Sequence, residues 1–595
     1  MRVTNNMIMS NTSTNINGTK GLVDKTNTQM TTQQKISRPS EDPVTAIRSL
    51  RLQTTLSKVD QYYEKNIPDA TQWLDVTETA LTNIKDVVTS MRTLCVNGST
   101  GTLTQEDRNT ILAQLKSYQE EIFSEGNADY AGRTVFTGFR TDKNLTYLTE
   151  DLESKYRISQ NLSATTMEEY RYYTNTVDVP SNITEVMALD DGISGVESSD
   201  MTIEKSDYFR MRLGYDSIAE INSISLYTKD VSGNIIWEDN STTPATGSPV
   251  KIDLREFNAD GTVNTENTTM GTLSNGSNYK TMALNQTFYT TYIDNPSEAT
   301  TSDVGNVYIF ENEDDWAVWS KTQTDSNGDP VNKKYVGDND MVIIKTTGDV
   351  IFGDTLQGTM QSDRSLINID YDKYGFGKGE LRPEYYFDCV DISDDSVGGY
   401  KNWIYYDKTD EKGDFTTYDI NYTVAMNQTL VVNIEACEIF DAGPLQDMYD
   451  LQEAVNNSIK AHEKVGKIEA MMKLDTYSDA QYQEKLSAWL DIANKEMDYY
   501  DDNLSKMFSS TLGKVDGYLS DINLSLTKIG CTTDQLNLTE KRMDDQQESV
   551  QNLLSQNDDL DLSEIILKYT AAYNAYQSSL TAAGKLTGQT LLNFI

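Results

Sequence analysis

The sequence predicts an α+β multidomain protein in which a long α-helical coiled-coil bundle from both chain ends encloses a β-rich central region. Three observations predict this fold. Apolar residues recur at alternating steps of four and three near both ends, the middle alternates in steps of two, and residues 560–595 carry one amphipathic helical stripe. A chain of 595 residues is also too long for one core, so two to four domains are expected.

Residues 1–40 are rich in Asn, Thr and Gln and poor in large apolar side chains. Alone, such a segment cannot bury enough surface to offset the entropy that it loses on ordering. A boundary follows at the stretch KISRPSEDPVTAI. Each proline there disfavours helix in the residue before it, and Ser40 or Asp42 can cap a helix that starts near Pro43.

Residues 41–144 are predicted to form an N-terminal helical arm with a hairpin. The stretch NGSTGT should end its first long helix, and Thr104 with Asp107 resembles a capping box for the next one. Glycines at turn spacing around Thr134–Phe139 predict the hairpin. The apolar column of the first helix has the spacing of a coiled-coil seam. Its members are Ala70, Leu74, Thr77, Leu81, Ile84, Val88, Met91 and Cys95.

Residues 145–440 are predicted to be a β-rich central region, large enough for two subdomains. The stretch MVIIKTTGDVIFGD indicates two short strands around Gly348 and Asp349. Tyr418, Ile420, Tyr422 and Val424 are spaced as one face of another strand. Trp316 and Trp319 are expected to pack in a core rather than to stack on a ligand.

Residues 441–559 are predicted to form a C-terminal helical arm that resumes near Pro444. One column of its longest seam is apolar throughout: Val515, Ile522, Ile529, Leu536, Met543 and Val550. A second column begins with Leu512, Leu519 and Leu526 and then turns polar at Thr533, Glu540 and Gln547. The pattern predicts a coiled coil that narrows to half a seam towards its C-terminal part.

The last segment, residues 560–595, is predicted to be a helix with an exposed apolar stripe. An isolated helix of this kind is marginal in water, because propensity alone rarely holds it without packing. We therefore expect its stripe to be an assembly interface. The stripe consists of Leu562, Ile566, Tyr569, Tyr573, Tyr576, Leu580 and Ala583.

Charge and composition argue against several classes of function. The formal net charge is −42 and the sequence pI is about 4.3, which disfavours nucleic acid and anionic membranes as partners. There is no run of 18 apolar residues for a membrane span and no recognisable secretory signal, so membrane insertion and signal cleavage are not expected. The four cysteines are scattered and form no CxxC pair, so unpaired buried thiols are expected rather than disulfides or metal ligands.

The sequence offers little for catalysis, so we expect no enzyme, cofactor or metal site. Its single histidine, His462, lacks the second histidine of a zincin motif and is expected to be a solvated residue on a helix face. Asp325, Asn327 and Asp329 begin like a calcium loop, but Pro330 replaces the turn glycine, so a polar turn is expected. Because the chain has 92 acidic residues, a pair of catalytic carboxylates is an alternative that stays open, although no motif indicates one.

Several motifs together resemble the flagellin-like axial proteins of bacteria. KISRPSEDPVTA resembles their boundary motif in the Pro-Ser-Asp-Asp-Pro form of the hook–filament junction members, with Glu41 where Asp is common. AGRTVFTGFRTD is similar to the family's hairpin through Gly132, Arg133, Phe136 and Gly138, although Thr134 stands at a usually aromatic position. The stretch from KIGCTTDQLNL to the final helix resembles the family's C-terminal coiled coil, and VVNIEACEIF its return from the central domain. The likeness covers about 1–145 and 430–595.

The resemblance implies a structural subunit that joins hook to filament in the extracellular flagellum, exported unfolded without a cleaved signal peptide. It implies a homo-oligomeric ring whose inner tube is lined by the inner-core helices in 1–40 and 560–595. The implied partners are other hook-associated and flagellin subunits, and an export chaperone at the C-terminal helix. Two alternatives stay open: a filament flagellin, or an axial scaffold that carries a secreted enzyme or adhesin domain.

Overall fold

The structure, a computed structural model, describes residues 5–100, 103–138, 140–174, 204–227, 250–253, 256–257, 263–264, 269–283, 306–324, 333–362, 366–394, 403–409, 415–439 and 442–588. The chain forms two compact units. Unit 1 comprises Met1–Leu74, Asn421–Val432 and Gly530–Ile595, and unit 2 comprises Asp75–Ile420 and Asn433–Ile529. The segment of the possible calcium loop, residues 325–332, lies outside the described residues.

Helices dominate both ends of the chain, and strands dominate the middle, so the fold is α+β as predicted. A π-helical turn, Tyr62–Asn66, joins α2 directly to α3. The longest helix, α8, has 79 residues, which corresponds to about 120 Å. The helices of the described residues are α1 (Asn5–Thr32), α2 (Pro43–Gln61), α3 (Ile67–Gly98), α4 (Gln105–Gly126), α5 (Glu313–Ser320), α6 (Asp354–Ser362), α7 (Gly443–Met472), α8 (Ala480–Asp558) and α9 (Leu562–Gly588).

The helix starts that the sequence predicts are confirmed. Asp42 is the N-cap of α2, and its carboxylate accepts hydrogen bonds from the backbone N–H groups of Val44 and Thr45. Thr104 and Asp107 form a reciprocal capping box at the start of α4. Pro444 lies in the first turn of α7, where its missing N–H leaves no hydrogen bond unmade.

Unit 1 contains α1, α2, the beginning of α3, the C-terminal part of α8, α9 and one β-hairpin. The helices α2 and α8 are joined by side-chain hydrogen bonds, from Ser49 to Asp558 (2.6 Å) and from Gln547 to Asp60 (2.7 Å). The hairpin lies beside the π-helical turn, since the Asn66 side chain donates to the backbone oxygen of Thr423 over 2.7 Å.

The helical part of unit 2 is built from α3, α4, α7 and α8. Arg92 of α3 pairs with Asp516 of α8 over 2.6 Å. Gly98 lies so close to Phe508 of α8 that a Cβ atom there would fall 2.5 Å from the ring, so this glycine permits the approach. The helices α4 and α7 also pack on each other, with Gln452 donating to Gln119 over 3.1 Å.

Within the described ranges, the strands form two large sheets and three small ribbons. The seven-stranded sheet has the order β10-β11-β12-β13-β14-β5-β4 and is antiparallel except between β12 and β13; the six-stranded sheet, β17-β16-β3-β15-β6-β7, is antiparallel. The strands are β1 (Asp129–Tyr130), β2 (Arg133–Thr134), β3 (Asp151–Ser163), β4 (Glu168–Thr174), β5 (Glu204–Arg212), β6 (Ile218–Tyr227), β7 (Val250–Asp253), β8 (Glu256–Phe257), β9 (Val263–Asn264), β10 (Thr269–Thr272), β11 (Asn278–Ala283), β12 (Asn306–Phe310), β13 (Met341–Ile344), β14 (Asp349–Phe352), β15 (Leu366–Phe376), β16 (Asp388–Asp391), β17 (Ile404–Tyr406), β18 (Asn421–Ala425) and β19 (Gln428–Val431).

The two large sheets pack face to face around one apolar core. Ile158 and Ile369 of the six-stranded sheet meet Ile343 and Val350 of the seven-stranded sheet there. The seven-stranded sheet is buried on its other face as well, in a second cluster that includes Trp316. Because β13 and β14 are covered on both faces, they appear in the sequence as continuous apolar runs. The two tryptophans are therefore core residues, as predicted, with Trp316 fully buried and Trp319 4% exposed.

Two details of the β structure differ from the sequence prediction. The hairpin of the N-terminal arm is β1–β2, so it turns at Ala131 and Gly132, before the predicted position. Gly132 has a φ of 76°, a conformation that glycine adopts without strain. The strand expected from Tyr418 begins later, in β18, because the backbone groups of Tyr418 bond to side chains: its N–H donates to Glu435 over 2.6 Å, and its oxygen accepts from Asn433 over 2.9 Å.

Candidate assembly surface

The first and the last helix of the described chain pack against each other in unit 1. Two backbone hydrogen bonds fix their junction: Leu560 N–H donates to Gln33 O over 2.9 Å, and Lys35 N–H donates to Asp558 O over 2.8 Å. The end of α1 therefore lies beside the start of α9, and the two helices run antiparallel. The terminal stripe thus has an intramolecular partner.

The surface that α1 offers to α9 is made largely of threonine and isoleucine. A buried hydroxyl without a partner would be costly, but these threonines bond to their own helix. Thr26 donates to Leu22 O over 2.8 Å, and Thr12 donates to Ile8 O over 2.8 Å. Their methyl groups remain for packing, so a segment that looks polar in sequence acquires an apolar face. The members of this face are Ile8, Thr12, Ile16, Thr19, Val23 and Thr26.

The predicted stripe of α9 is divided between two sides of the helix. Tyr569, Tyr576 and Ala583 are half-buried, on the side that also carries the buried Ile565 and Ala572. Ile565 and Ala572 were missing from the predicted stripe, because the true contact column starts three residues after Leu562. The other members stay exposed, with 48% for Leu562, 46% for Ile566, 43% for Tyr573 and 41% for Leu580.

The exposed row on α9 defines the candidate surface, which we call the terminal apolar row: Leu562, Ile566, Tyr573 and Leu580. Tyr573 is oriented by its neighbours on the same helix. Its ring stacks on Tyr569 with 6.1 Å between centroids, and its hydroxyl accepts a hydrogen bond from Gln577 over 3.1 Å. An ordered aromatic side chain loses little entropy when a partner covers it, which favours its use in an interface.

The residues of the two predicted seams are mostly buried. In α3, Leu74, Leu81, Ile84 and Val88 are at most 4% exposed, and in α8, Val515, Ile522, Ile529 and Leu536 are at most 1% exposed. Leu519 and Leu526 are only half-buried. A buried polar column, Thr511, Ser525 and Thr539, runs beside the apolar one, and sequence reading missed it. Whether these helices form a two-stranded coiled coil stays a prediction.

The histidine is less exposed than expected. His462 is half-buried on α7, and its Nε2 lies 2.9 Å from Oδ2 of Asp501. The same carboxylate accepts from Ser458 over 2.6 Å and from Arg108 over 2.9 Å. A catalytic triad needs the serine to donate to the histidine. Here the serine donates to the aspartate and is fully buried, so the cluster holds helices together rather than activating a nucleophile.

A buried charge network links the seven-stranded sheet to α7 and α8 in unit 2. Arg210 of β5 contacts three carboxylates: Glu168 at 2.8 Å, Asp349 at 3.1 Å and Asp450 at 2.7 Å. Burial opposes the charge on Arg210, but these carboxylates outweigh it and raise the pKa of the guanidinium. The network continues from Glu168 to Lys514, over 2.8 Å.

A cavity of about 460 Å³ lies against this network, which makes it the place to look for acid–base chemistry. Its carboxylates are engaged, however. Asp447 accepts from Lys514 over 2.6 Å and from the hydroxyl of Tyr518 over 2.7 Å, while Asp450 accepts from Arg210 and Arg212. Cations hold these carboxylates firmly. We therefore infer that the carboxylates attach the sheet to the helices rather than take part in acid–base chemistry. Within the described ranges, no cluster of His, Cys, Asp or Glu is arranged to hold a metal ion.

The four thiols lie apart from one another. Burial raises the pKa of Cys95 to about 12 and that of Cys437 to about 11, and it also raises the pKa of Cys389. Since the thiolate is the reactive form, these three are protected from oxidation. Cys531 is exposed on α8, so the expectation that all four thiols are buried is wrong at this position.

All four cysteines should therefore be reduced in the folded protein. Alkylation without reductant should modify Cys531 rapidly, and all four thiols should react after denaturation. Mass spectrometry of the intact chain measures both numbers. The Cys531→Ser variant is the control and should lose the rapid reaction only, whereas a cross-linked peptide from the native protein would contradict the prediction.

The N-terminal part of the chain matches a known family of proteins. Residues 3–141 match the family model described as the bacterial flagellin N-terminal helical region. This part of the chain, which contains α1 to α4 and the β1–β2 hairpin, is therefore similar to that family. The resemblance inferred from the motifs is confirmed here. No helix in the described parts of the chain is long and apolar enough to cross a bilayer.

Two curated relatives have a more specific name than the family, and both are called flagellar hook-associated protein 3. The Salmonella typhimurium protein is 24% identical over 143 residues, 24% of this chain and 45% of the relative. The Escherichia coli protein is 26% identical over 115 residues, 19% of this chain and 36% of the relative. The chain thus spans less than half the length of the curated relatives that it matches. A solved hook-associated protein-3 from Legionella pneumophila aligns over 85% of this chain and 97% of its own, at 9% identity and a TM-score of 0.25.

Proposed function

We propose that the chain is a structural subunit of the bacterial flagellum that joins hook to filament and assembles into a homo-oligomeric ring through its terminal helices. The family match of residues 3–141 and the shared name of the two curated relatives support the place in the flagellum. The terminal apolar row supports assembly through the terminal helices. The proposed localisation is extracellular, after export without a cleaved signal peptide.

The observation that carries assembly is the uneven distribution of exposed apolar side chains. The chain as a whole is hydrophilic, with a mean hydropathy of −0.55 and a net charge of −42. Yet α9 leaves four large apolar side chains exposed in one row, and α2 leaves Val44, Ile47 and Leu50 exposed. A soluble monomer seldom tolerates such rows, so we infer that they are covered in an assembly.

The remaining roles follow from this arrangement. Residues 1–40 and 560–595 would supply inner-core helices, 41–144 and 441–559 the helical arms, and 145–440 a central region outside the arms. The proposed partners are further copies of this chain, other hook-associated and flagellin subunits, and an export chaperone that covers the C-terminal helix before assembly. We propose no enzymatic activity and no cofactor.

Immunogold labelling of flagella from the bacterium that encodes the chain tests the proposal. The label should lie at the hook end of each filament, and deletion of the chain should leave hooks without filaments. Label along the whole filament would favour a flagellin instead. Turnover in a glycan or peptide substrate screen of the central region would favour an axial scaffold that carries an enzyme.

The central region should be removable without unfolding the helical arms. Its two ends lie close together, since Ala436 N–H donates to Phe136 O over 3.0 Å. The β18–β19 hairpin belongs to unit 1, however, and is held by Asn66 and Arg542. A flexible linker in place of residues 150–415 should therefore keep the helical circular dichroism of the arms and their assembly.

Replacement of residues 150–435 is the matched comparison, because it also removes the hairpin. This variant should melt at a lower temperature, since unit 1 then lacks the packing that the buried Val424 and Ala425 of the hairpin supply. Loss of the helical signal in the shorter replacement would show that the arms depend on the sandwich. Equal melting of both variants would show that the hairpin does not stabilise unit 1.

A further inference from the structure

The outer face of α2 combines apolar and basic side chains. Between Pro43 and Val59 the only charged residues are Arg48, Arg51 and Lys58. Ile47 and Leu50 are 53% and 61% exposed, and Arg51 and Lys58 lie on the same side of the helix, about one and three turns after Ile47. We call Ile47, Leu50, Arg51 and Lys58 the basic face.

The outer face of α8 in unit 1 combines an apolar side chain with acidic ones. Leu538 is 69% exposed, and Asp534, Asp545 and Glu548 are exposed around it at helical spacing. Lys541 and Arg542 are the cations among these neighbours on the described helix, and Arg542 is engaged by the side chain of Gln428 in the β18–β19 hairpin. We call Asp534, Leu538, Asp545 and Glu548 the acidic face.

The two faces point away from each other. The helices α2 and α8 are joined on their inner sides, where Asn557 donates to Thr45 O over 3.1 Å and Gln547 donates to Asp60 over 2.7 Å. Met543 and Val550 are buried on that side of α8, opposite the acidic face. Two opposed surfaces of one unit cannot meet within one chain.

We propose that the basic face of one copy binds the acidic face of the next copy, which makes a head-to-tail contact between subunits. The partner is a second copy because the two surfaces complement each other in charge and each exposes apolar side chains that water solvates poorly. A head-to-tail contact repeats and closes a ring when its rotation fits. The proposal deepens the proposed function, on which it rests, by naming the surfaces that meet.

Two charge-reversal variants test the proposal on the full chain. Variant one carries Arg51→Glu and Lys58→Glu, and variant two carries Asp534→Lys and Asp545→Lys. Each should raise the concentration needed for assembly about tenfold or more, because like charges then face each other. Lys460→Glu with Lys467→Glu, which alters two exposed lysines of α7 in unit 2, is the matched control and should assemble like the wild type.

Mixing the two reversed variants gives the sharpest readout. In an equimolar mixture every contact between unlike copies is complementary again, so assembly should return to about the wild-type concentration, with the variants alternating in native mass spectra. Circular dichroism checks that each variant is folded. Normal assembly of either variant alone, or no rescue on mixing, would overturn the proposal while the wild type still assembles. A wild type that never assembles would overturn the proposed function itself, and this inference with it.

Discussion

Arg210→Met should lower the free energy of unfolding of unit 2 by about 3–5 kcal/mol. The guanidinium is 6% exposed and contacts Glu168, Asp349 and Asp450. Methionine preserves most of the volume but leaves three carboxylates without their common cation. Breaking a buried pair on one side is costly, because the remaining charge stays desolvated. Urea unfolding followed by tryptophan fluorescence measures the loss, since Trp316 and Trp319 of α5 pack against the same sheet.

Arg171→Met is the matched control for this substitution. Arg171 also pairs with a glutamate of β4, Glu169 at 2.7 Å, but the two side chains are 38% and 36% exposed. A solvated pair of this kind contributes at most about 1 kcal/mol. If the two variants lost equal stability, the network around Arg210 would be as hydrated as a surface pair and would not hold the sheet to the helices.

The loss in Arg210→Met should shrink as the pH falls from 7 towards 5. Without Arg210, Asp450 is a buried carboxylate whose pKa should lie further above that of the unfolded chain. The folded variant then binds more protons than its unfolded form, so its stability rises as the pH falls through the raised pKa. Burial already raises the pKa of Asp450 in the wild type. A loss that is independent of pH would point to altered packing instead.

Local signals in the sequence predicted the helix ends well, for a physical reason. Caps act within three residues, so Asp42 before Pro43 and the pair Thr104 and Asp107 carry their information in one turn of chain. The hairpin β13–β14 was predicted for the same reason, since Gly348 with a φ of 71° supplies its turn. Helix caps and tight turns can therefore be predicted from a few neighbouring residues, without knowledge of the rest of the fold.

Long-range pairing had no such signal. The sandwich depends on β14 pairing with β5, where Asp349 is opposite Arg212, and no local pattern shows that these strands meet. The contact between Arg210 and Asp450 likewise joins two residues that are 240 positions apart. His462 was expected to be solvated because its partner Asp501 lies on another helix. The β-rich nature of the middle was predictable, but its sheet order was not.

The candidate surface was predicted in part, because α9 has more apolar residues than one face can hold. Periodicity finds an apolar column but does not show which neighbour covers it. The structure assigns Ile565 and Ala572 to the contact with α1 and leaves Tyr573 and Leu580 exposed. Residues 1–40 were predicted to bury too little apolar surface to fold alone. That prediction did not consider that the threonines of α1 can donate hydrogen bonds within their own helix and present their methyl groups for packing.

Tyr573→Asp combined with Leu580→Asp should abolish assembly without lowering the melting temperature of the monomer. Both side chains are exposed in the terminal apolar row, 43% and 41%, so the changes disturb no core. Covering two new carboxylates with an apolar partner is strongly unfavourable. We therefore expect the concentration needed for assembly to rise more than about a hundredfold, measured by light scattering and sedimentation.

Two variants on the same helix separate this interface from general effects of charge. Ser578→Asp adds a carboxylate to an exposed position on the opposite side of α9 and should leave assembly intact. Ala572→Asp places the charge at a position that is 3% exposed, so it should separate α9 from α1 and make both helices sensitive to protease. If the double variant assembled as readily as Ser578→Asp, the terminal apolar row would not be the subunit interface. If it melted like Ala572→Asp, the row would serve the fold of the monomer, and assembly would have to depend on other faces of unit 1.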